Sequence, residues 1–223
     1  LISETATYSN EGSVNIPDHE WNDFGTCDNC GQGKPGFIEQ NADGYFLVNT
    51  PEQLVYMSNY ATNNPTAKIL ITQDLDMAEV TDQYRPIRGA YAGIFDGGGH
   101  TISNLIINSN LTQVGLFGNM AEGGKVSNLV FVNPTVKVND GNLFVGVVAG
   151  MAMTDTLQNV HVYGANIIDA NGNVDATVGG LVGQSTVYGE ISSCSFNGTI
   201  NTPAAYALGG IAGDTRTATF VFS

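Results

Sequence analysis

The sequence predicts an all-β chain wound as a parallel β-solenoid. Three observations carry this: two short elements that recur together, an excess of glycine, and a scarcity of charge. The first element is Val114-Gly-Leu-Phe-Gly118, which returns as Gly146-Val-Val-Ala-Gly150, Gly179-Gly-Leu-Val-Gly183 and Gly209-Gly-Ile-Ala-Gly213, with closing glycines 32, 33 and 30 residues apart. Ala92-Gly-Ile-Phe-Asp96 reads as a further copy, 22 residues earlier, with Asp96 at the place of the final glycine. The second element follows the first: Ile102-Ser-Asn-Leu-Ile-Ile107, Val126-Ser-Asn-Leu-Val-Phe131, Leu157-Gln-Asn-Val-His-Val162 and Ile191-Ser-Ser-Cys-Ser-Phe196. It alternates with period two, the mark of a strand with one buried face. Leu105/Ile107, Leu129/Phe131, Val160/Val162 and Cys194/Phe196 then share that face. A unit this small cannot bury its own apolar side, whereas stacked equivalent units form a continuous core. An antiparallel sandwich is the structural alternative, but it does not require ordered columns of equivalent residues.

Composition agrees and sets limits on function. Glycine accounts for 28 of 223 residues, against a usual share of about 7%. Corners of a stacked coil would use it for positive φ and for close passage of backbones. Charged residues are 13% of the chain, yet the net charge is −14. Seven basic residues cannot build the cationic footprint that nucleic acid or anionic lipid demands. No apolar run reaches the roughly 20 residues of a membrane span. The chain opens at Leu1 without a charged and then apolar leader, so the expectation is that any secretion signal has been removed or was never included.

In chain order, residues 1–45 lack periodicity and are expected to form an irregular segment. Within it, His19, Cys27 and Cys30 lie in His19-Glu-Trp-Asn-Asp-Phe-Gly-Thr-Cys27-Asp-Asn-Cys30-Gly31. Cys-x-x-Cys-Gly is a zinc-knuckle half-site, and His19 supplies a third ligand with no fourth nearby. A local Cys27–Cys30 disulfide and a pair of free thiols are the alternatives. The solenoid is assigned to residues 46–223. At its start, Thr50 as N-cap, Pro51 at the first position and Gln53 closing a capping box predict a helix over 50–62. Leu54, Met57 and Ala61 share one face, and Asn63-Asn-Pro65 ends it. Its expected role is to cap the first coil and block edge-to-edge aggregation. At the other end, Phe220-Val-Phe-Ser223 follows Gly213 too soon for a complete repeat, suggesting truncation or an end-capping strand.

The stretch Tyr91-Ala-Gly-Ile-Phe-Asp-Gly-Gly-Gly-His-Thr-Ile-Ser-Asn-Leu105, followed by Val114-Gly-Leu-Phe-Gly118, resembles the GLUG-motif proteins. Thr50-Pro-Glu-Gln-Leu54, Leu75-Asp-Met77 and Arg85-Pro-Ile87 are similar to the same family's lead-in segment, so the likeness spans roughly residues 45–213. It departs at Gly98, where Asn is usual, and in the loosened third copy, Gly146–Gly150. The resemblance implies a right-handed parallel β-helix of a secreted bacterial surface protein, a motif found also in IgA-protease-like surface proteins. The family shares an architecture and no common reaction.

Candidate chemistry is thin. Sugar hydrolysis needs two carboxylates on one cleft. Asp74 and Asp76 alternate with Leu75 and Met77 as solvated strand positions, and Asp96 sits in a glycine-rich turn. The β-helix lyases pair calcium-binding Asp residues with a base, but Arg85, Arg88 and Arg216 fall beside no acidic cluster. Asp169-Ala-Asn-Gly-Asn-Val-Asp175 hints at calcium, yet Gly172 is fourth rather than sixth and the later Glu is missing, so a plain turn is expected. His100 is expected to make a local hydrogen bond, and Cys194 to be a buried, inert thiol.

If Leu105/Ile107 and their equivalents point inward, Ile106, Val130, Val132, His161 and Tyr163 point outward. Adjacent aliphatic side chains there form a patch that either the N-terminal segment covers or a partner contacts. The expected function is a non-catalytic, secreted or surface-displayed module that binds like an adhesin or acts as a spacer or stalk. It is expected to be a monomer that needs no cofactor, on the surface of a bacterium, with a host protein or glycan as partner. The alternative is a carbohydrate-active β-helix enzyme of polysaccharide lyase or hydrolase type.

Overall fold

The structure, a computed structural model, describes residues 19–153, 156–186, 189–215 and 219–221. They form a parallel β-solenoid of about 4 turns, with a single α-helix among the described residues. A central coil shows how the sequence winds. Strand Lys125–Val132 bends at Asn128, a second corner at Asn133 leads into Thr135–Val138, and Phe144–Val145 and Ala149–Ala152 complete the turn. Both corner asparagines are left-handed, φ 53° and 52°, a conformation that Asn tolerates better than other side chains. Asn159 and Ser193 bend the next two coils at the first corner, and Asn104 bends the coil below at the second.

Equivalent strands pair in parallel register: Phe117, Ala149, Val182 and Ala212 successively oppose one another, as do Val114, Val145, Val178 and Leu208. The inward positions of the middle coils are solvent-free: Leu129, Phe131, Val160, Val162, Val136 and Ile167 are all fully buried. Tyr91 and Phe117 stack at 4.7 Å, and Phe95 meets Phe117 edge-on at 5.6 Å. Two buried tyrosine hydroxyls find carbonyls: Tyr84 Oη donates to Leu116 O at 2.9 Å, and Tyr91 Oη to Ala67 O at 2.8 Å.

Two expectations are corrected. The glycines that close the repeats, such as Gly183, do not supply the positive φ of the corners. A Cβ on Gly183 would run into the main chain of Val145 and Gly150, so close passage between coils is what excludes a side chain there. The copy at 102–107 is also out of phase with the other three. Ile107 pairs with Val136, whereas Phe131 pairs with Ile102 and Val162. Asn104 therefore belongs at the second corner, and the first corner of that coil is the glycine turn 97–99, with Gly98 at φ 60°.

Helix Pro51–Asn63 follows its caps. Thr50 Oγ1 accepts from Gln53 N–H at 3.3 Å, while Gln53 Oε1 accepts from Asn49 N–H at 2.8 Å. Its buried face, Leu54, Val55, Met57, Ser58 and Ala61, lies against the strands Tyr45–Val48 and Ile87–Tyr91 that begin the stack. Residues 19–38 lie on the same helix. Gln53 Nε2 donates to Phe37 O at 2.8 Å, and the rings of Phe37 and Tyr56 meet at 5.6 Å.

Candidate functional site

Between the two corners, the wall of the solenoid presents its outward side chains in straight columns. Thr101, Val130, His161 and Ser195 lie in one register, and Ser103, Val132 and Tyr163 in the next. Val130, Val132 and His161 are half-buried, and Tyr163 is 48% exposed. The two rings run nearly parallel at 6.4 Å. Ile106 does not join them. It stands beyond the second corner, in the column of Thr135 and Asn166, because of the phase difference at 102–107. The patch is thus two valines framed by hydroxyls and two rings, less apolar than three adjacent aliphatics. The described part of the N-terminal segment packs on the helix, as above.

A polar ladder runs along the corner beside this wall. Asn159 Nδ2 donates to Asn128 Oδ1 at 3.0 Å, and Asn128 Nδ2 donates to Asp96 Oδ1 at 3.1 Å. His161 ties wall to ladder, with Nε2 3.1 Å from Asn159 Oδ1 and Nδ1 2.8 Å from Ser195 Oγ. Repetition of Asn at one place in successive copies was the signal for this ladder, and sequence reasoning passed over it.

Three comparisons with known proteins bear on this architecture. The family model of the GLUG motif matches residues 175–201, which hold the strands of one coil from Thr177–Gly179 to Ser195–Asn201. The chain carries the GLUG motif. Halomucin of Haloquadratum walsbyi is 35% identical over 114 residues, 51% of this chain but 1% of that protein's length. A crystal structure from Bacteroides ovatus, assigned as an immunoglobulin A1 protease, superposes with a TM-score of 0.50 at 17% identity. That likeness covers 82% of this chain and 66% of the other, and it shows a shared fold.

Within the GLUG solenoid, the carboxylates singled out from sequence join neighbouring coils or hold turns. Asp74 Oδ1 accepts Thr101 N–H at 2.9 Å and lies 3.3 Å from His100 Nδ1, so His100 pairs across coils rather than locally. Asp76 Oδ1 accepts Asn104 Nδ2 at 2.8 Å, and Asp96 Oδ1 accepts Gly98 N–H at 2.9 Å. Asp169 gathers the N–H groups of Asn171, Gly172 and Asn173 at 2.9, 2.8 and 2.6 Å, which closes the suspected calcium loop as a plain turn. The Thr101 N–H holds the Asp74 carboxyl below its usual range, and the Asn104 amide does the same for Asp76. A catalytic acid requires the opposite shift.

His19, Cys27 and Cys30 do come together, with their donor atoms all within 4.8 Å of one another and Cys30 Sγ 3.4 Å from His19 Nδ1. All three cysteines are free thiols. The His19 hydrogen bond lowers the Cys27 thiol to about 6. Cys194 lies in register with Val160 and Leu129 but is half-buried rather than buried. Desolvation raises its thiol, which donates to Ser192 O at 3.2 Å. Sequence reasoning also missed a polar cavity of about 380 Å³ lined by Thr81, Asp82, Tyr84, Arg85, Asn108 and other residues. It opens where the turn 81–83 stands in for a strand beneath Ile106–Asn108, with Thr81 Oγ1 accepting Ile106 N–H at 2.6 Å.

Proposed function

We propose that this chain is a non-catalytic, surface-displayed GLUG solenoid that binds a host protein or glycan in the manner of an adhesin. The observation that carries this reading is the wall formed by Val130, Val132, His161 and Tyr163 beside the asparagine ladder. Parallel register fixes the spacing of these positions before any partner arrives, so little backbone ordering entropy is lost on contact. An exposed tyrosine ring flanked by imidazole and carboxamide groups suits the mixed apolar and polar faces of a sugar or a protein loop. The engagement of Asp74 and Asp76 in hydrogen bonds between coils, and of Asp96 and Asp169 in turns, supports a binding role over hydrolysis or elimination. The likeness to halomucin supports a place outside the cell, on a bacterial surface in this reading.

The test is a glycan and extracellular-matrix array probed with the whole chain and with Tyr163→Ala. A ligand held by the parent and lost by the variant, at an unchanged unfolding midpoint, is the expected result. Turnover of any polysaccharide on the panel would overturn the reading in favour of a carbohydrate-active enzyme.

A further inference from the structure

The cluster at His19, Cys27 and Cys30 belongs to neither the wall nor the core. Its geometry arises from a small looped unit. Gly31 N–H donates to Cys27 O at 2.8 Å, closing a tight turn that carries both thiols, and Gly31 takes φ 74° just after the second. Asp28 N–H donates to Glu20 O at 3.0 Å, and Trp21 bridges Cys27 in antiparallel fashion, so the segment carrying His19 returns beside the thiols. The His19 ring stacks on Trp21 at 4.7 Å, which limits its rotation.

Tetrahedral zinc, with bonds of about 2.3 Å to sulfur and about 2.0 Å to nitrogen, places its donor atoms roughly 3.5–3.8 Å apart. The Cys30 Sγ to His19 Nδ1 distance of 3.4 Å is close to that spacing. The rest of the set lies within 4.8 Å, about an ångström wider than that spacing at most. Two thiolates and an imidazole are soft and borderline donors that select zinc-like ions over calcium or magnesium.

We infer that residues 19–38 form a metal-dependent cap, in which His19, Cys27 and Cys30 hold one Zn²⁺ whose fourth position faces solvent. Each thiol binds as thiolate and gives up its proton, so no oxidant or reductant is involved. The cap has little else to hold it. Cys27 is the one apolar side chain it buries fully, and its strand contacts are the isolated bridges Trp21–Cys27 and Thr26–Gly33. A segment with so small a core depends on a cross-link for order. Zinc supplies that cross-link and keeps Phe37 and the Gly33 turn against Tyr56 of the helix.

The experiment titrates the reduced, full-length chain with Co²⁺ and follows thiolate-to-cobalt charge-transfer absorption, with Zn²⁺ as competitor. One equivalent is expected, displaced by one equivalent of zinc. Cys30→Ser, at an exposed position, should abolish the band, and His19→Ala should weaken binding by about 100-fold or more, since even second-shell partners are worth 10–100-fold. A second readout is limited proteolysis within 19–38, which zinc should slow and a chelator should restore. Three results overturn the inference: no charge-transfer band, undiminished stoichiometric binding in the Cys27→Ser/Cys30→Ser double variant, or a Cys27–Cys30 disulfide that forms in excess zinc.

Discussion

Val178 and Leu208 occupy the same place in successive coils, paired directly across the sheet, yet Val178 is fully buried and Leu208 is 51% exposed. The contrast holds across both coils. Residues 182–185 are buried throughout, whereas their partners 212–215 are half-buried or exposed, although Gly179-Gly-Leu-Val-Gly183 and Gly209-Gly-Ile-Ala-Gly213 are nearly the same sequence. Phe196 is half-buried in a column where Phe131 and Val162 have no solvent contact. A GLUG repeat therefore does not own its core. Burial comes from having a neighbour on each side, as the energetics of stacked repeats require. At the opposite end, strand Tyr45–Val48 is the neighbour of Lys68–Ile71 and helix 51–63 lies against Ile87–Tyr91, and Ile69 and Ile71 are as dry as the middle of the stack.

The largest effect that separates these regions is expected from one residue type in one column. Phe131→Ala should cost about 3–5 kcal/mol, the range for deleting a fully buried aromatic. Phe196→Ala should cost well under half of that, because solvent already reaches its ring. Denaturant midpoints of the two variants measure this, and equal losses would falsify the claim that position in the stack sets the energy. Glycine gives the next contrast. Gly183→Ala drives a methyl into the main chain of Val145 and Gly150 and should cost about 1–3 kcal/mol, as overpacking does. At Gly210 an added Cβ meets nothing within 4 Å, so Gly210→Ala should leave the thermal midpoint unchanged or raise it slightly.

These contrasts also explain what the sequence could convey. Period two and the recurrence of paired elements made the coil legible, because inward alternation leaves a direct trace in residue type. The helix was legible from Thr50, Pro51 and Gln53, whose roles depend on the local chain alone. Phase was harder. Asn104 and Asn128 both follow Ser and precede Leu, and both take φ near 55°, so the two corners of a coil share one local solution. Which corner a copy occupies depends on the count of residues to the next coil, and the glycine turn 97–99 stood in for the missing asparagine. That ambiguity misplaced Ile106 while leaving Val130, Val132, His161 and Tyr163 on one wall. The cavity beside Arg85 was invisible for a different reason. It exists where a coil lacks a strand, and an omitted strand leaves no motif.

The smallest expected effect concerns acid, and it again separates the two ends. Asp74 and Asp76 accept hydrogen bonds from Thr101 and Asn104 in the neighbouring coil, and both carboxyls are held below their ordinary range. A carboxyl lowered in the folded state stabilises above its unfolded value, about 3.9 for Asp, and that contribution fades as pH falls through the folded value. Acid should therefore loosen the contact between the first two coils below about pH 4. Asp74→Asn keeps an oxygen for the Thr101 N–H but removes the charge. Its midpoint should lie slightly below the parent's at neutral pH, and its decline with acid should be shallower. Amide exchange at Thr101 and Ser103 locates the effect. If protection there is insensitive to acid while Gly210 and Ile211 lose theirs first, the weakness of an open coil outweighs the carboxylates, and burial alone grades stability along the stack.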